Sequence, residues 1–380
     1  MTDPISPPGW RERWLLQRNR VLSNPHFQRW SMRLPLLRGT ARYHANAMFG
    51  VITGFVYTKT LTAAVDLGII AALARAPQST SGLAAAAGLE APAMARLLAA
   101  AASIDLVEAL GGDRWTLGQR GAALASNQGA LAMIEHHKLF YADLADPVAM
   151  LKRGRGGGEL AAFWSYAEAA GRGEPAAAGA EDEATRAYSA LMAASQPMVA
   201  EQVLDSFDFG RHRRLLDIGG GHGAFVREVA RRHPRLELAL FDLPPVAAQA
   251  REVLGVQGLP QIVAHGGSFR DDPIPVGADL ITLVRILHDH DDAVVQALLK
   301  AVHAALPPGG TLLIAEPMAG TKGAEAMGDA YFGLYLWAMG SGRPRSVAAY
   351  TEMLRAAGFA RVRERRTGLP MVTRLLVATI

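Results

Sequence analysis

Two patterns of apolar positions divide the chain. Across 10–42, arginines are interleaved with Trp10, Trp14, Leu15, Phe27, Trp30 and Leu34 at helical spacing, which predicts one or two amphipathic helices interrupted at Asn24-Pro25. Phe49, Ile52, Phe55, Val56, Leu61, Val65, Ile69 and Ile70 continue a helical pattern over 43–75, with Gly68 as a tolerated or terminating residue. Ser79 or Ser81 can cap the next helix, which Gly88 ends. A further helix is expected over 91–104, then a hairpin from 106 to 117 around Gly111-Gly112-Asp113. Helix, turn, helix, hairpin is a winged-helix pattern. From about 186 the pattern changes to strand-length apolar runs alternating with helical ones: 214–218, 236–241, 261–264, 280–284, 311–315 and 374–378. That alternation predicts βαβ units, hence an α/β fold with a doubly wound, mostly parallel, Rossmann-like sheet. The expected organisation is an arm (1–42), a helical and winged-helix domain closed by a Gly/Ala-rich linker (43–185), and an α/β domain (186–380).

Composition sharpens this picture. The 380 residues are half hydrophobic and only 19% charged, which excludes disorder. No cysteine is present, so disulfides, thiolate metal sites and a cysteine nucleophile are excluded. The net charge of +4 is unevenly placed. Residues 1–42 carry eight arginines against Asp3 and Glu12, a net of +6, and the remainder is −2. Such an arm suits nucleic acid, an anionic membrane surface or a partner subunit. The opening MTDPISPPGWRERW has prolines and charges where a secretory signal needs an apolar run. Lys59 and Asp66 break the apolar stretch 48–74, so no transmembrane helix is expected and the expected location is the cytoplasm.

The strongest chemical motif is LLDIGGGHG, an apolar strand entering a glycine turn that opens a helix. Gly219, Gly221 and Gly223 let backbone approach a ligand at a helix N-terminus. Neither register completes the dinucleotide fingerprint, because Ala224 and Val226 stand where it needs glycine. Asp217 repels a pyrophosphate and suits a cationic, amino-acid-like end. The next strand ends in Asp242-Leu243, where a carboxylate accepts from ribose hydroxyls. Ser268 and Phe269 follow at another strand end, and Phe269 offers a face to a flat base. Leu283 to Val284 then runs through Arg285 into His288-Asp289-His290-Asp291-Asp292. Ligands sit beyond the carboxyl ends of parallel strands, so His288 is placed as a general base, with a metal site or a polar helix start as alternatives. Glu316, ending the following strand, can hold its imidazole in one tautomer.

With LLDIGGGHG, FDLP, GGSF, RILHDHDD, PPGGTLLIAEP and LRAAGF in this order and spacing, the chain resembles the S-adenosylmethionine-dependent small-molecule O-methyltransferases of plants and bacterial natural-product pathways. The resemblance covers about 45–380 and implies a winged-helix dimerisation domain, hence a homodimer, and a cofactor domain needing no metal. It also implies roles. The loop Asp217–Gly223 cradles the methionine end of S-adenosylmethionine, Asp242 and Leu243 hold the ribose, and Ser268 and Phe269 flank the adenine. His288 takes the hydroxyl proton, with Glu316 orienting it and Asp289 beside it. The chain departs from that pattern in three places. Ser268 stands where the family often has Asp. Val284, followed by Arg285, stands where plant members have lysine, and Ala348-Ala349 where they have a second glutamate.

The segments GWRERWLLQRNRVLSNPHFQRW and FGVITGFVYTKTLTAAVDLGI further resemble bacterial carotenoid 1-hydroxyl methyltransferases. This implies a small hydrophobic acceptor, the tertiary 1-hydroxyl of an acyclic carotenoid, with Met192, Met318, Met327, Tyr331 and Trp337 along an oily tunnel. It also implies peripheral membrane contact through 1–42. The other readings are a soluble phenol, polyketide or tetrapyrrole acceptor, or a DNA-binding regulator. Nucleic acid is disfavoured by the alanine-rich second helix of the winged-helix pattern.

Overall fold

A computed structural model describes residues 9–164 and 196–380. Most of the linker expected before 185 lies outside the described residues, as does Met192. The chain forms two compact units, dividing between Ser126 and Asn127.

In the first unit, α1 (Trp10–Leu22) and α2 (Pro25–Arg33) are separated at Asn24. The Asn24 side chain accepts from the N–H of His26 at 2.8 Å, and Pro25 fills the first helical position. Next, α3 (Pro35–Asp66) and α4 (Ile69–Arg75) are divided by Gly68 in the left-handed conformation, φ +68°. Ser79 caps α5 (Thr80–Ala87) by accepting from Gly82 N–H at 3.0 Å, and left-handed Gly88 ends it. Then come α6 (Ala91–Ser103) and a wing. The wing pairs β1 (Gln78–Ser79) and β2 (Val107–Gly111) with the central β3 (Arg114–Leu117), and α7 (Gln119–Ala125) follows. Ile69, Ile70, Leu73, Leu83, Met94 and Leu98 make the core, as the helical spacing predicts.

One expectation changes here. Helix α3 is 32 residues long, and its most apolar 18-residue window has a mean hydropathy of 1.3 with only 11% of it buried. By length and composition this helix could cross a bilayer, whereas the sequence predicted none. The reason is that one charge does not cut the helix: Lys59 lies inside the apolar stretch as its single charged residue, and Asp66 only ends it. Phe49, Val51, Ile52 and Phe55 are exposed along it. A helix that packs on a second subunit meets the same test.

The second unit opens with α8 (Gln128–Asp143) and α9 (Pro147–Arg153). Its sheet contains β4 (Arg214–Ile218), β5 (Glu237–Asp242), β6 (Val263–Gly266), β7 (Leu280–Val284), β8 (Thr311–Glu316), β9 (Arg361–Arg365) and β10 (Arg374–Thr379). Their spatial order is 6-5-4-7-8-10-9, the first five parallel and β10 antiparallel to both neighbours. The strands carry apolar residues on both faces, as a doubly covered sheet requires. Leu215 packs with α10 (Ala224–Arg232) and α11 (Pro244–Val256). Its neighbours Leu216 and Ile218 pack with α12 (Asp292–Ala305) and, near the chain's end, α14 (Val347–Ala356). Strand β9, RVRER, was not legible as a strand: it is an edge whose charges face water.

Helices α8 and α9 belong with this unit, although the sequence grouped them with the winged helix. Phe140 and Met150 pack with Leu160 and with Tyr335, Leu336 and Met339 of α13 (Phe332–Met339), which continues from a π-helical turn, Ala326–Tyr331. These contacts link residues about 190 apart in sequence, so helical periodicity alone could not assign them.

Candidate active site

The strand order reverses around β4, between β5 and β7, which opens a crevice at the carboxyl ends of the strands. The glycine turn occupies it. Gly219, Gly221 and Gly223 all have positive φ (+69°, +54° and +80°). A Cβ on Gly219 would strike Ile286 Cδ1 at 2.3 Å, so the turn is pressed against the chain leading to His288. A Cβ on Gly221 would enter open space, so that glycine faces a void. Two carboxylates border it. Asp217, 2% exposed, accepts from Thr282 Oγ1 at 2.6 Å. Burial, with Asp242 adding and the Thr282 bond opposing, pushes its pKa up to about 7. Asp242 accepts from the N–H groups of Gly221 and Leu243, each at 2.7 Å. Its pKa is also raised by burial, against those two bonds and His222. A glycine cradle open to a void beside one buried and one half-buried acid fits a ligand with a cationic end and hydroxyls.

The neighbouring loop brings Ser268 and Phe269 to the same strand ends. Phe269 meets His290 edge-on at 5.2 Å, and Arg270 Nη2 lies 3.2 Å from His290 Nδ1. The sequence noted Ser268 in place of an acid, but two acids stand close by. Ser268 N–H donates to Asp272 at 2.8 Å and Ser268 Oγ to Asp271 at 3.0 Å. Sequence reasoning passed over Asp271 and Asp272 because the turn that folds them back is not a motif.

His288 sits in a short 3-10 turn, Leu287–Asp289, just beyond β7. Its Nδ1 lies 2.5 Å from Glu316 Oε2, and its Nε2 3.2 Å from Asp289 Oδ1. The other oxygen of fully buried Glu316 accepts from the N–H of Ile286 (2.9 Å) and of Leu287 (2.7 Å). One carboxylate thus fixes both the turn and the ring. Burial alone would lower the His288 pKa; Asp289, Glu316 and the Glu316 bond outweigh burial and the opposing Arg285, and raise it. Arg285, which enters this turn, is left-handed at φ +60°, a strained conformation for a residue with a Cβ. Among the described residues, no cluster of three or more metal-ligating groups occurs.

Phe332 stands edge-on to His288 at 5.5 Å and begins an aromatic wall. Tyr331 and Tyr335, one helical turn apart, stack at 5.5 Å. His137 Nε2 lies 2.9 Å from Tyr331 Oη and His136 Nε2 2.6 Å from Tyr335 Oη, while Trp164 Nε1 donates to Tyr335 at 3.0 Å. Burial lowers the His136 pKa to about 4 and lowers that of His137, so both are neutral near pH 7. The expected lining residues divide. Tyr331 and Trp337 belong to this wall and Met327 is half-buried in the turn before it. Met318 lies instead in the sheet core with α12 and α14. Neither histidine of α8 was singled out from the sequence; the signal was His136-His137 paired with Tyr331 and Tyr335 at i, i+4, legible only once α8 is known to meet α13.

The O-methyltransferase domain family matches residues 141–360, and the O-methyltransferase dimerisation domain matches 49–127. The chain is 43% identical to the demethylspheroidene O-methyltransferase of Cereibacter sphaeroides over 346 residues, 90% of this chain and 89% of that protein. It is 45% identical to that of Rhodobacter capsulatus, over 91% of this chain and 85% of that one. Among solved structures, CalO1, a methyltransferase of calicheamicin biosynthesis in its SAH-bound form, superposes with a TM-score of 0.68. That match has 25% identity and covers 88% of this chain and 98% of that one. By these matches and the cradle described above, the chain belongs to the S-adenosylmethionine-dependent O-methyltransferases, with that family's dimerisation domain toward its N-terminus and methylation of a hydroxyl as its reaction.

Proposed function

We propose that the acceptor is the tertiary 1-hydroxyl of an acyclic carotenoid and that His288 is the base that takes its proton. The acceptor rests on the 43% and 45% identity with demethylspheroidene O-methyltransferases along most of the chain. The wall agrees with it: aromatic rings and two neutral histidines suit an acceptor that is long, apolar and uncharged. The base assignment is carried by one observation, the His288 imidazole held between Glu316 and Asp289 at the mouth of the cradle.

S-adenosylmethionine, when bound, supplies a methyl already activated on a sulfonium. What remains for the chain is to bind, orient and deprotonate. The Asp217–Gly223 loop receives the amino-acid end, Asp242 and Leu243 the ribose, and Ser268 and Phe269 the adenine, with Arg285 the cation beside them. The methyl would come from the sulfonium, whose sulfur would keep the electron pair of the broken bond, so the chain's own task is the hydroxyl proton. The hydroxyl proton passes to His288 Nε2. Glu316 stabilises the imidazolium through Nδ1. Asp289 lies beside Nε2 and stabilises the imidazolium once Nε2 carries the proton, so it serves as the second flanking acid. A raised pKa makes the imidazole a stronger base, which a tertiary alcohol needs.

The arm fits the same reading. Trp10, Trp14, Leu16 and Trp30 are exposed among the arginines of α1 and α2, outside the matched dimerisation domain. Aromatic rings with arginines suit the interface of an anionic membrane in which a carotenoid dissolves. The enzyme then works peripherally, from the cytoplasmic side.

The test is methyl transfer from labelled S-adenosylmethionine to 1-hydroxycarotenoids in liposomes, run against a panel of soluble phenols. Labelled methoxycarotenoid is expected; labelled phenols with silent carotenoids would overturn the acceptor and leave the methyl-donor site standing.

A further inference from the structure

Arg345 has no exposed surface, although it is an arginine, and its guanidinium contacts converge on the turn that carries His288. Nη1 donates to the carbonyl of Leu287 at 2.7 Å and Nη2 to that of His290 at 2.7 Å. Nε and Nη2 also reach Asp292 Oδ1, at 2.9 and 2.7 Å, and the guanidinium lies over the buried ring of Tyr350 at 5.9 Å. The residues just before it complete the grip. Arg343 N–H donates to the carbonyl of His288 at 2.9 Å, and Ser341 Oγ to that of Asp289 at 2.8 Å. Four consecutive carbonyls, 287 to 290, are therefore held by one short segment, 341–345. Gly342 has φ +73°, and a Cβ there would lie 2.0 Å from the carbonyl oxygen of His288, so the segment is closed against the turn.

We infer that Arg345 is a positioning residue for the methyl-transfer reaction: its fork fixes the backbone of the 287–292 turn and so holds the His288 ring between Glu316 and Asp289. This rests on His288 as the base. Three facts separate this arrangement from ordinary core packing. A buried guanidinium is costly to desolvate unless its donors are satisfied, and every partner named for it on the turn is a carbonyl or the carboxylate that opens α12. Glu316 holds the same turn through the N–H groups of Ile286 and Leu287, so donors and acceptors of the turn are gripped separately. At the start of α14 stand Ala348 and Ala349, whose side chains carry no polar group that could hold the ring in place of the clamp. Lysine could not replace Arg345, because a point charge cannot span the carbonyls of 287 and 290 together.

The experiment uses the full chain with Arg345→Met and Arg345→Lys, each first checked for S-adenosylhomocysteine affinity by calorimetry. The groups facing His288 are Glu316 from β8, Asp289 from its own turn, Arg285 from the end of β7 and His290, whose own pKa His288 helps to lower. With the clamp lost, the two carboxylates no longer bracket the ring. The His288 titration, read by NMR on protein labelled with 15N-histidine, then moves to lower pH in both variants. The kcat falls about 10²-fold, the scale expected when a catalytic group is misplaced by an ångström, and its acid limb moves with the titration. Cofactor affinity stays unchanged. If Arg345→Met fails to fold, Arg345→Lys carries the test. An unmoved His288 titration overturns the inference, whatever the rate does. A moved titration in Arg345→Met together with full activity in His288→Ala would keep the clamp and overturn the base assignment.

Discussion

At the scale of single residues, the site is built around two acids placed where water does not reach, Asp217 and Glu316. Glu316 serves three donors at once: two backbone N–H groups and an imidazole. Since the His288 pKa is raised, the ring is neutral only at higher pH, and a reaction needing it as base slows as pH falls through that value. Glu316→Gln removes part of what raises it. The kcat/KM profile is therefore expected to lose its acid limb toward lower pH while the plateau drops about 10²-fold; a limb that stays in place would sink the assignment. Asp217 gives a prediction of opposite character. With its carboxyl raised to about 7, a cationic amino end must be met by an ionised acid. Affinity for S-adenosylhomocysteine is expected to fall as pH is lowered through about 7, and Asp217→Asn to flatten that dependence in calorimetry. The residues themselves were legible: Asp242, His288 and Glu316 each end an apolar run, and Asp217 stands one residue before the end of another. Asp271, Asp272, His136 and His137 were not, since what gives them partners is a loop turn and a helix contact distant in sequence.

The elements show how such residues come to face each other. Strands β4, β5, β7 and β8 all end at the same edge, and successive strand ends supply Asp217, Asp242, the His288 turn and Glu316. The joint between the glycine turn and the His288 turn is tight at Gly219. Gly219→Ala adds a Cβ in a left-handed conformation and drives it into Ile286, at a cost of about 1–3 kcal/mol for the backbone strain alone. The variant is expected to melt lower and to lose both cofactor affinity and turnover; normal turnover with weakened binding would mean that the two turns are independent. Sequence pattern found these strands but missed β9, whose arginines and Glu364 read as a loop because an edge strand needs no second apolar face.

At the scale of the molecule, the apolar surface of α3 and the arginine-rich arm are the features that a single chain leaves open. The dimerisation domain matched over 49–127 takes in the later part of α3, where Val51, Ile52 and Phe55 are exposed. The arm precedes the match. Deleting residues 2–33, which stops short of α3, is expected to leave methyl transfer to a detergent-dispersed acceptor intact and to reduce sedimentation with anionic liposomes severalfold, most at low salt. Undiminished co-sedimentation would remove the arm from membrane contact. Dimerisation, read by light scattering, is expected to persist in the same variant.

What the sequence by itself determined is the order of elements and the identity of the residues at strand ends. Both depend on local rules: apolar periodicity, caps at Asn24 and Ser79, and glycines where φ must be positive. The tertiary structure alone decided which distant side chains share a bond. It set Arg345 beneath the turn of His288, Tyr331 and Tyr335 against the histidines of α8, and Met318 in the core away from that wall. It also assigned α8 and α9 to the second unit. The physical reason is that burial and hydrogen bonding are settled by packing between segments far apart along the chain, which no periodicity within one segment encodes.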